Sequence, residues 1–135
     1  MGDDPRSDVQ AGVVAVIDDD LSVRRALTRL LRCAGLSVDA YSSAEEFLAK
    51  RNGQHYSLVL VDQMMPGLSG IDLLERLAAE GSTQPTIVIT ALESQTIRER
   101  ATRFGASIIS KPIESADLLD MVGRAIGRNL AGHGR

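Results

Sequence analysis

Five short apolar segments recur along the chain, at residues 13–17, 36–41, 58–61, 86–89 and 107–109, each followed by a stretch with apolar residues at helical spacing. This alternation predicts a parallel sheet with helices on both faces, because parallel strands need crossover connections and the crossovers cover the sheet. Val13-Val14-Ala15-Val16-Ile17, Leu58-Val59-Leu60-Val61 and Thr86-Ile87-Val88-Ile89 are continuous and rich in β-branched residues, which predicts central strands. Between the first two segments Val23, Ala26, Leu27, Leu30, Leu31 and Ala34 fall at helical spacing, Arg24, Arg25, Thr28, Arg29 and Arg32 lie elsewhere, and Gly35 is the stop. Ser43-Ala44-Glu45-Glu46 has a capping-box pattern ahead of Phe47 and Leu48, in a helix that ends at Asn52-Gly53. A third helix is predicted over about 70–80, with Ile71, Leu74, Leu77 and Ala78 inward and Gly81 as its stop. Ser94 caps a fourth that turns Ile97, Ala101 and Phe104 inward before Gly105. The fifth, over about 115–128, directs Leu118, Leu119, Val122 and Ile126 to the sheet. Residues 1–11 and 130–135 read as tails around one domain over 12–129.

A length of 135 residues fits one domain, and 44% hydrophobic with 24% charged residues is ordinary globular composition, so disorder is excluded. The longest uncharged apolar stretches, 13–17 and 58–61, fall far short of the roughly 20 residues of a membrane helix, and Met1-Gly2-Asp3-Asp4-Pro5 is not a basic, apolar leader. No membrane insertion and a cytoplasmic location are expected. With 15 Lys+Arg against 18 Asp+Glu the net charge of -3 has the wrong sign for neutralising phosphates, and the aromatics are only Tyr41, Phe47, Tyr56 and Phe104. Direct nucleic-acid binding is therefore not expected. Cys33 is the only cysteine, so neither an intrachain disulfide nor a Cys-rich zinc site is possible, and its neighbours Leu30, Leu31 and Ala34 suggest a small core residue. His55 in a loop and His133 in the tail have no further ligand nearby and read as solvent-exposed.

In an open parallel sheet, functional groups gather beyond the carboxyl ends of the strands. The first strand ends in Asp18-Asp19-Asp20, the third in Asp62, the fourth in Thr90-Ala91 and the fifth in Lys111-Pro112. With strand order 2-1-3-4-5, an acidic cluster, a hydroxyl and an ammonium share one edge. Alone, three consecutive aspartates read as a solvated loop with a helix cap, and Asp20 is either that cap or an exposed neighbour. Together, Asp18, Asp19 and Asp62 repel one another and call for a cation; oxygen ligands with room for waters suit Mg²⁺ or Mn²⁺. Asp62 ends an apolar strand, which suits a fixed carboxylate nucleophile for phosphorus. A divalent ion, the Lys111 ammonium, the Thr90 hydroxyl and the Ala91 backbone N–H would position and neutralise the phosphoryl oxygens.

Jointly, Val16-Ile17-Asp18-Asp19-Asp20, Asp62-Gln63-Met64-Met65-Pro66-Gly67, Ile89-Thr90-Ala91, Gly105-Ala106 and Ser110-Lys111-Pro112 resemble the receiver domain of two-component response regulators. The resemblance spans about residues 13–128. It implies a flavodoxin-like doubly wound α/β fold, with five parallel strands and helices on both faces. It further implies Mg²⁺-dependent transfer of a phosphoryl group to Asp62 from a phosphohistidine on a sensor histidine kinase or histidine phosphotransfer protein. By the same resemblance Asp19, Asp62 and the Met64 carbonyl bind Mg²⁺, with Asp18 acting through water. Lys111 pairs with the phosphoryl group, Thr90 bonds it and moves, and Lys111-Pro112 is usually cis. Ile108 stands where the family usually has Tyr or Phe. The chain ends without a following effector domain, so it is either a stand-alone receiver or part of a longer regulator. A downstream partner or second copy is expected on the face of helix 4, strand 5 and helix 5, where Arg100, Arg103, Asp117, Asp120 and Arg124 are placed. Met64 and Leu92 flank the approach of water to the phosphorus and are expected to cover it with apolar surface. The rival reading is a Mg²⁺-dependent phosphohydrolase with an aspartyl nucleophile, but no acid lies two residues after Asp62 to protonate a leaving group.

Overall fold

The computed structural model describes residues 9–82 and 84–130, with side chains from Gly12 onward. β1 (Val9–Ile17), α1 (Leu21–Cys33), β2 (Ser37–Tyr41), α2 (Ala44–Lys50) and β3 (His55–Asp62) are followed by α3 (Gly70–Ala79), β4 (Thr86–Thr90), α4 (Gln95–Arg103), β5 (Ser107–Ser110) and α5 (Ser115–Ile126). The strands pair in parallel, as the alternation predicts, and their order is β2-β1-β3-β4-β5, the one expected of the doubly wound fold that the resemblance implies.

Strand periodicity splits the core into two layers. Ala15, Ile17, Val59, Val61 and Val88 meet Phe47 of α2, Ile71, Leu73, Leu74 and Leu77 of α3, and Ala101 of α4. Val14, Val16, Leu58, Leu60, Ile87 and Ile89 meet Leu27 and Leu31 of α1 and Leu118 and Val122 of α5. Each fully buried Leu or Ile contributes about 1.5–3 kcal/mol. The helices start where their caps dictate: Asp20, Ser43, Ser69 and Ser94 all accept backbone N–H groups of the first turn. Among the described residues no helix is long and apolar enough to cross a membrane.

Four details differ from the pattern. β1 starts at Val9, because backbone pairing of Val9 with His55 and Gln10 with Tyr56 needs no apolar side chains; the register shifts between Gln10 and Val14, around Gly12 at φ 77. At the other end Leu130 is 5% exposed and belongs to the core rather than to a tail. The chain returns there because Arg128 N–H donates to Gly123 O, and a Cβ on Gly123 would collide with the Arg128 carbonyl oxygen. Cys33 is exposed, since it lies about 200° around α1 from buried Leu31. Ala78 is also exposed, and Leu73, one turn before Leu77, fills the core instead. His55 is exposed as expected; His133 and the outer parts of both tails lie outside the described residues.

Candidate functional site

The carboxyl edge of the sheet collects the polar residues that the apolar strands deliver. Asp18 follows β1, and its N–H donates to Tyr41 O at 3.1 Å, which fixes it against the end of β2. Its Oδ1 accepts the Asp20 N–H at 2.9 Å, but its Oδ2 is buried with no partner. Asp20 is the helix cap: its Oδ1 accepts from Ser22 N–H at 2.8 Å and Val23 N–H at 3.2 Å. Asp18, Asp19 and Asp62 each present a carboxylate oxygen, all within 4.8 Å of one another.

Asp62, 4% exposed, ends β3 and accepts an ion pair from Lys111 Nζ at 3.0 Å on Oδ1. Burial pushes its pKa above the usual carboxylate value; the Lys111 bond and charge oppose this, Asp19 reinforces it, and the Met64 N–H bond opposes it. Burial also raises Asp18, against the Asp20 bond, and Asp62 raises it further. For Lys111, burial acts to lower the pKa, but the Asp62 bond and charge outweigh it and the ammonium is held above its ordinary value. A cluster of three carboxylates with one compensating ammonium thus lacks positive charge. The orphaned Asp18 Oδ2 and the all-oxygen donor set fit a hard divalent cation such as Mg²⁺.

Thr90 is buried at the end of β4, and its hydroxyl is engaged by the loop that follows. It donates to Leu92 O at 3.0 Å and accepts the Leu92 N–H at 3.2 Å, tying down the β4–α4 loop. Ala91 is exposed at the start of that loop. Lys111 is placed by its own N–H, which donates to Thr90 O at 2.9 Å, and the Lys111-Pro112 bond is cis. Met64 and Leu92 are the most exposed large apolar side chains among the described residues, at 72% and 81%. Leu92 is held by its backbone to Thr90, which leaves its side chain in solvent. Ile108 is a packed strand residue against the α2–α3–α4 layer.

Several contributors have roles that no sequence pattern announces. Gln63 is buried, its N–H donates to Ile89 O at 2.7 Å, and its Oε1 accepts the Ile71 N–H at 2.8 Å, so it staples the start of α3 to the loop that follows Asp62. Gly70 permits this closeness: a Cβ there would meet Asp62 O at 2.9 Å. Glu45 Oε2 accepts the Leu68 N–H at 2.9 Å from across the loop, and Arg24 Nη1 donates to Asp18 O at 2.7 Å. Glu93 accepts the Ser110 hydroxyl at 2.9 Å and pairs with Arg98. Arg100 does not belong to the α4–β5–α5 face, because Glu75 at 2.8 Å and Asp72 at 3.5 Å draw it to α3. Asp120 and Arg124 pair with each other at 2.8 Å on α5; Arg103 and Asp117 are exposed.

A doubly wound sheet in the order 2-1-3-4-5, with clustered carboxylates and an ammonium at its switch point, defines a flavodoxin-like domain whose chemistry sits on its loops. The chain belongs to the response regulator receiver domain family, whose profile matches residues 14–123, and is thus a signalling domain of two-component systems. It is 39% identical over 118 residues to nodulation protein W of Bradyrhizobium diazoefficiens, covering 87% of this chain and 52% of that protein. The chain therefore spans about half the length of that relative. The crystal structure of a response regulator receiver protein from Burkholderia phymatum is 38% identical with TM-score 0.74, covering 86% of this chain and 95% of that one. A CheX–CheY–BeF3–Mg²⁺ complex from Borrelia burgdorferi is 25% identical with TM-score 0.77, covering 83% and 87%.

Proposed function

We propose that this domain accepts a phosphoryl group on Asp62 from the phosphohistidine of a histidine kinase or phosphotransfer protein in the cytoplasm. One observation carries the reading: a strand-end carboxylate, 4% exposed, is ion-paired to Lys111 and clustered with Asp18 and Asp19. In the transfer an Asp62 carboxylate oxygen attacks phosphorus, an O–P bond forms, the P–N bond breaks, and imidazole leaves and is protonated as needed. Asp18, Asp19, Asp62 and the Met64 carbonyl would hold Mg²⁺, which supplies charge neutralisation for the phosphoryl oxygens when bound. Lys111 transfers its ion pair to a phosphoryl oxygen, the Ala91 N–H is a second donor, and Thr90 reaches the group only by releasing Leu92. An apolar groove of about 330 Å³ between Leu27 and Leu30 of α1 and Pro112 and Ile113, with Lys111 on its rim, supports donor docking beside the site. The related CheX–CheY complex contains BeF3 and Mg²⁺, which supports the same chemistry here. The α4–β5–α5 face is the proposed output surface, for a downstream protein or a second copy.

The test is intact-mass measurement after incubation with phosphoramidate and Mg²⁺. One added phosphoryl group on the wild type and none on Asp62→Asn is expected; equal labelling of both would overturn the assignment.

A further inference from the structure

α1 concentrates positive charge on a chain whose net charge is -3: it carries Arg24, Arg25, Arg29 and Arg32 and no acidic residue. Elsewhere the cations are largely matched, with Lys50 on Glu46, Arg51 on Glu80, Arg98 on Glu93, Arg100 on Glu75, Lys111 on Asp62 and Arg124 on Asp120. None of the α1 arginines meets a carboxylate among the described residues. Arg24 and Arg32 reach only the carbonyl oxygens of Asp18 and Val38, and Arg25 and Arg29 are exposed.

These arginines line a groove of about 620 Å³ whose remaining walls include Leu21, Cys33 and Ala40. Its far wall belongs to β2, one of the two edge strands of the sheet. Ala40 shares its side of β2 with Val38, which packs against α1. Asp39 lies on the opposite side, where its Oδ2 accepts the Tyr56 hydroxyl at 2.8 Å, so the nearest β2 carboxylate does not neutralise the arginines. The stretch from Arg24 to Arg32 is about 12 Å long, roughly two turns of a facing helix.

We propose that this α1–β2 groove docks an acidic amphipathic helix of a partner protein. Carboxylates of that helix engage Arg25, Arg29 and Arg32, and an apolar side chain seats between Leu21 and Ala40. The apolar walls favour a protein helix over a phosphodiester strand, which would leave Leu21 and Ala40 uncovered. Asp18, Asp19, Asp62, Thr90 and Lys111 do not line the groove, so the proposal stands independently of phosphoryl transfer.

Cys33, the single cysteine, is exposed in the groove and serves as a reporter. The probe is an 18-residue helical peptide of Glu and Leu in amphipathic order, added to the full chain at 150 mM salt. The controls are the same peptide with Lys for Glu and a 20-base-pair DNA duplex. Expected are saturable amide shifts in α1 and at Ala40, several-fold slower maleimide reaction of Cys33, and at least tenfold weaker binding to Arg25→Glu/Arg29→Glu. Arg25→Gln/Arg29→Gln should weaken binding less, and phosphoramidate labelling of both variants should match the wild type. No saturable shift, shifts confined to another face, an equal response to the Lys peptide, or tighter binding of DNA would each overturn the proposal.

Discussion

Asp18→Asn should make the metal-free protein more stable and the Mg²⁺-loaded protein less so. Asp18 is 1% exposed, its Oδ2 has no partner, and burial and the Asp62 charge both raise its pKa against the opposing Asp20 bond. Leaving such a buried acceptor unsatisfied costs about 1–3 kcal/mol. Asparagine keeps the Oδ1 acceptor for the Asp20 N–H and replaces the orphaned oxygen with an amide that can donate within the carboxylate cluster. For a domain of this size, with about 3–5 °C per kcal/mol, the melting temperature in EDTA should rise by about 3–15 °C. A bound cation reverses the order. At a Mg²⁺ concentration 100 times the dissociation constant the wild type gains about 2.7 kcal/mol, most of which the variant forgoes. The assay is thermal unfolding of both proteins by circular dichroism in EDTA and across a Mg²⁺ titration. A variant with native spectrum that melts below wild type in EDTA, or that keeps the wild-type Mg²⁺ response, would refute the reasoning.

Lys111→Ala should destabilise the metal-free protein by about 1–2 kcal/mol in urea unfolding, a figure discounted because the ammonium is 35% exposed. It should still bind Mg²⁺ but carry less phosphoryl label on Asp62 at steady state; undiminished label would contradict the role of the ammonium. The raised pKa values of Asp18 and Asp62 mean that the native state binds protons more tightly there, so metal-free stability should increase as pH falls from neutral toward the ordinary carboxylate range. Below that range the slope should reverse, because Glu46, pushed down to about 2 chiefly by the Ser42 N–H bond, and Asp72, lowered chiefly by the Ser69 N–H bond, lose native interactions when protonated. Urea midpoints from pH 3 to 8 in EDTA check both limbs. Gly123→Ala should cost about 1–3 kcal/mol despite its helical position, because the new Cβ would strike the Arg128 carbonyl and unseat Leu130; a more stable variant would show that the chain return yields freely.

The parallel sheet and the acidic pocket were legible because both follow from one-dimensional signals: continuous β-branched runs, and a polar or charged residue at the end of the first, third, fourth and fifth of them. Asp18, Asp19, Asp62 and Lys111 converge as expected since parallel strands all deliver their last residues to one edge. What was illegible depends on angle or on a partner distant in sequence. Cys33 has apolar sequence neighbours but points away from Leu31, and Ala78 lies 100° around α3 from Leu77. Arg100 is turned by carboxylates 25 and 28 residues away. Gln63 lies in a recognised motif, but its structural role exists only because the Ile71 N–H of the α3 start folds back onto it. β1 reaches Val9 through backbone bonds that side-chain patterns do not report.

The orientation of Thr90 bears most directly on how a signal could leave the site. Its hydroxyl already has a donor and an acceptor partner in Leu92, so bonding a phosphoryl group on Asp62 would exchange hydrogen bonds rather than add one to a free group. The net free energy of that exchange is small, which suits a switch, and its structural effect falls on the β4–α4 loop. Once Thr90 releases Leu92, the described side-chain ties of that loop are the Glu93 contacts with Ser110 and Arg98. Ser110 immediately precedes Lys111, whose ion pair with Asp62 would shift in the same event, so both ends of the Glu93–Ser110 bond lie beside groups that would move. Ile108 has no polar tip to exchange between solvent and interior, and driving it further into the packed layer would overfill that layer. If Asp62 is phosphorylated, the change would therefore be carried by loop backbone and Glu93 rather than by rotation of a side chain at position 108.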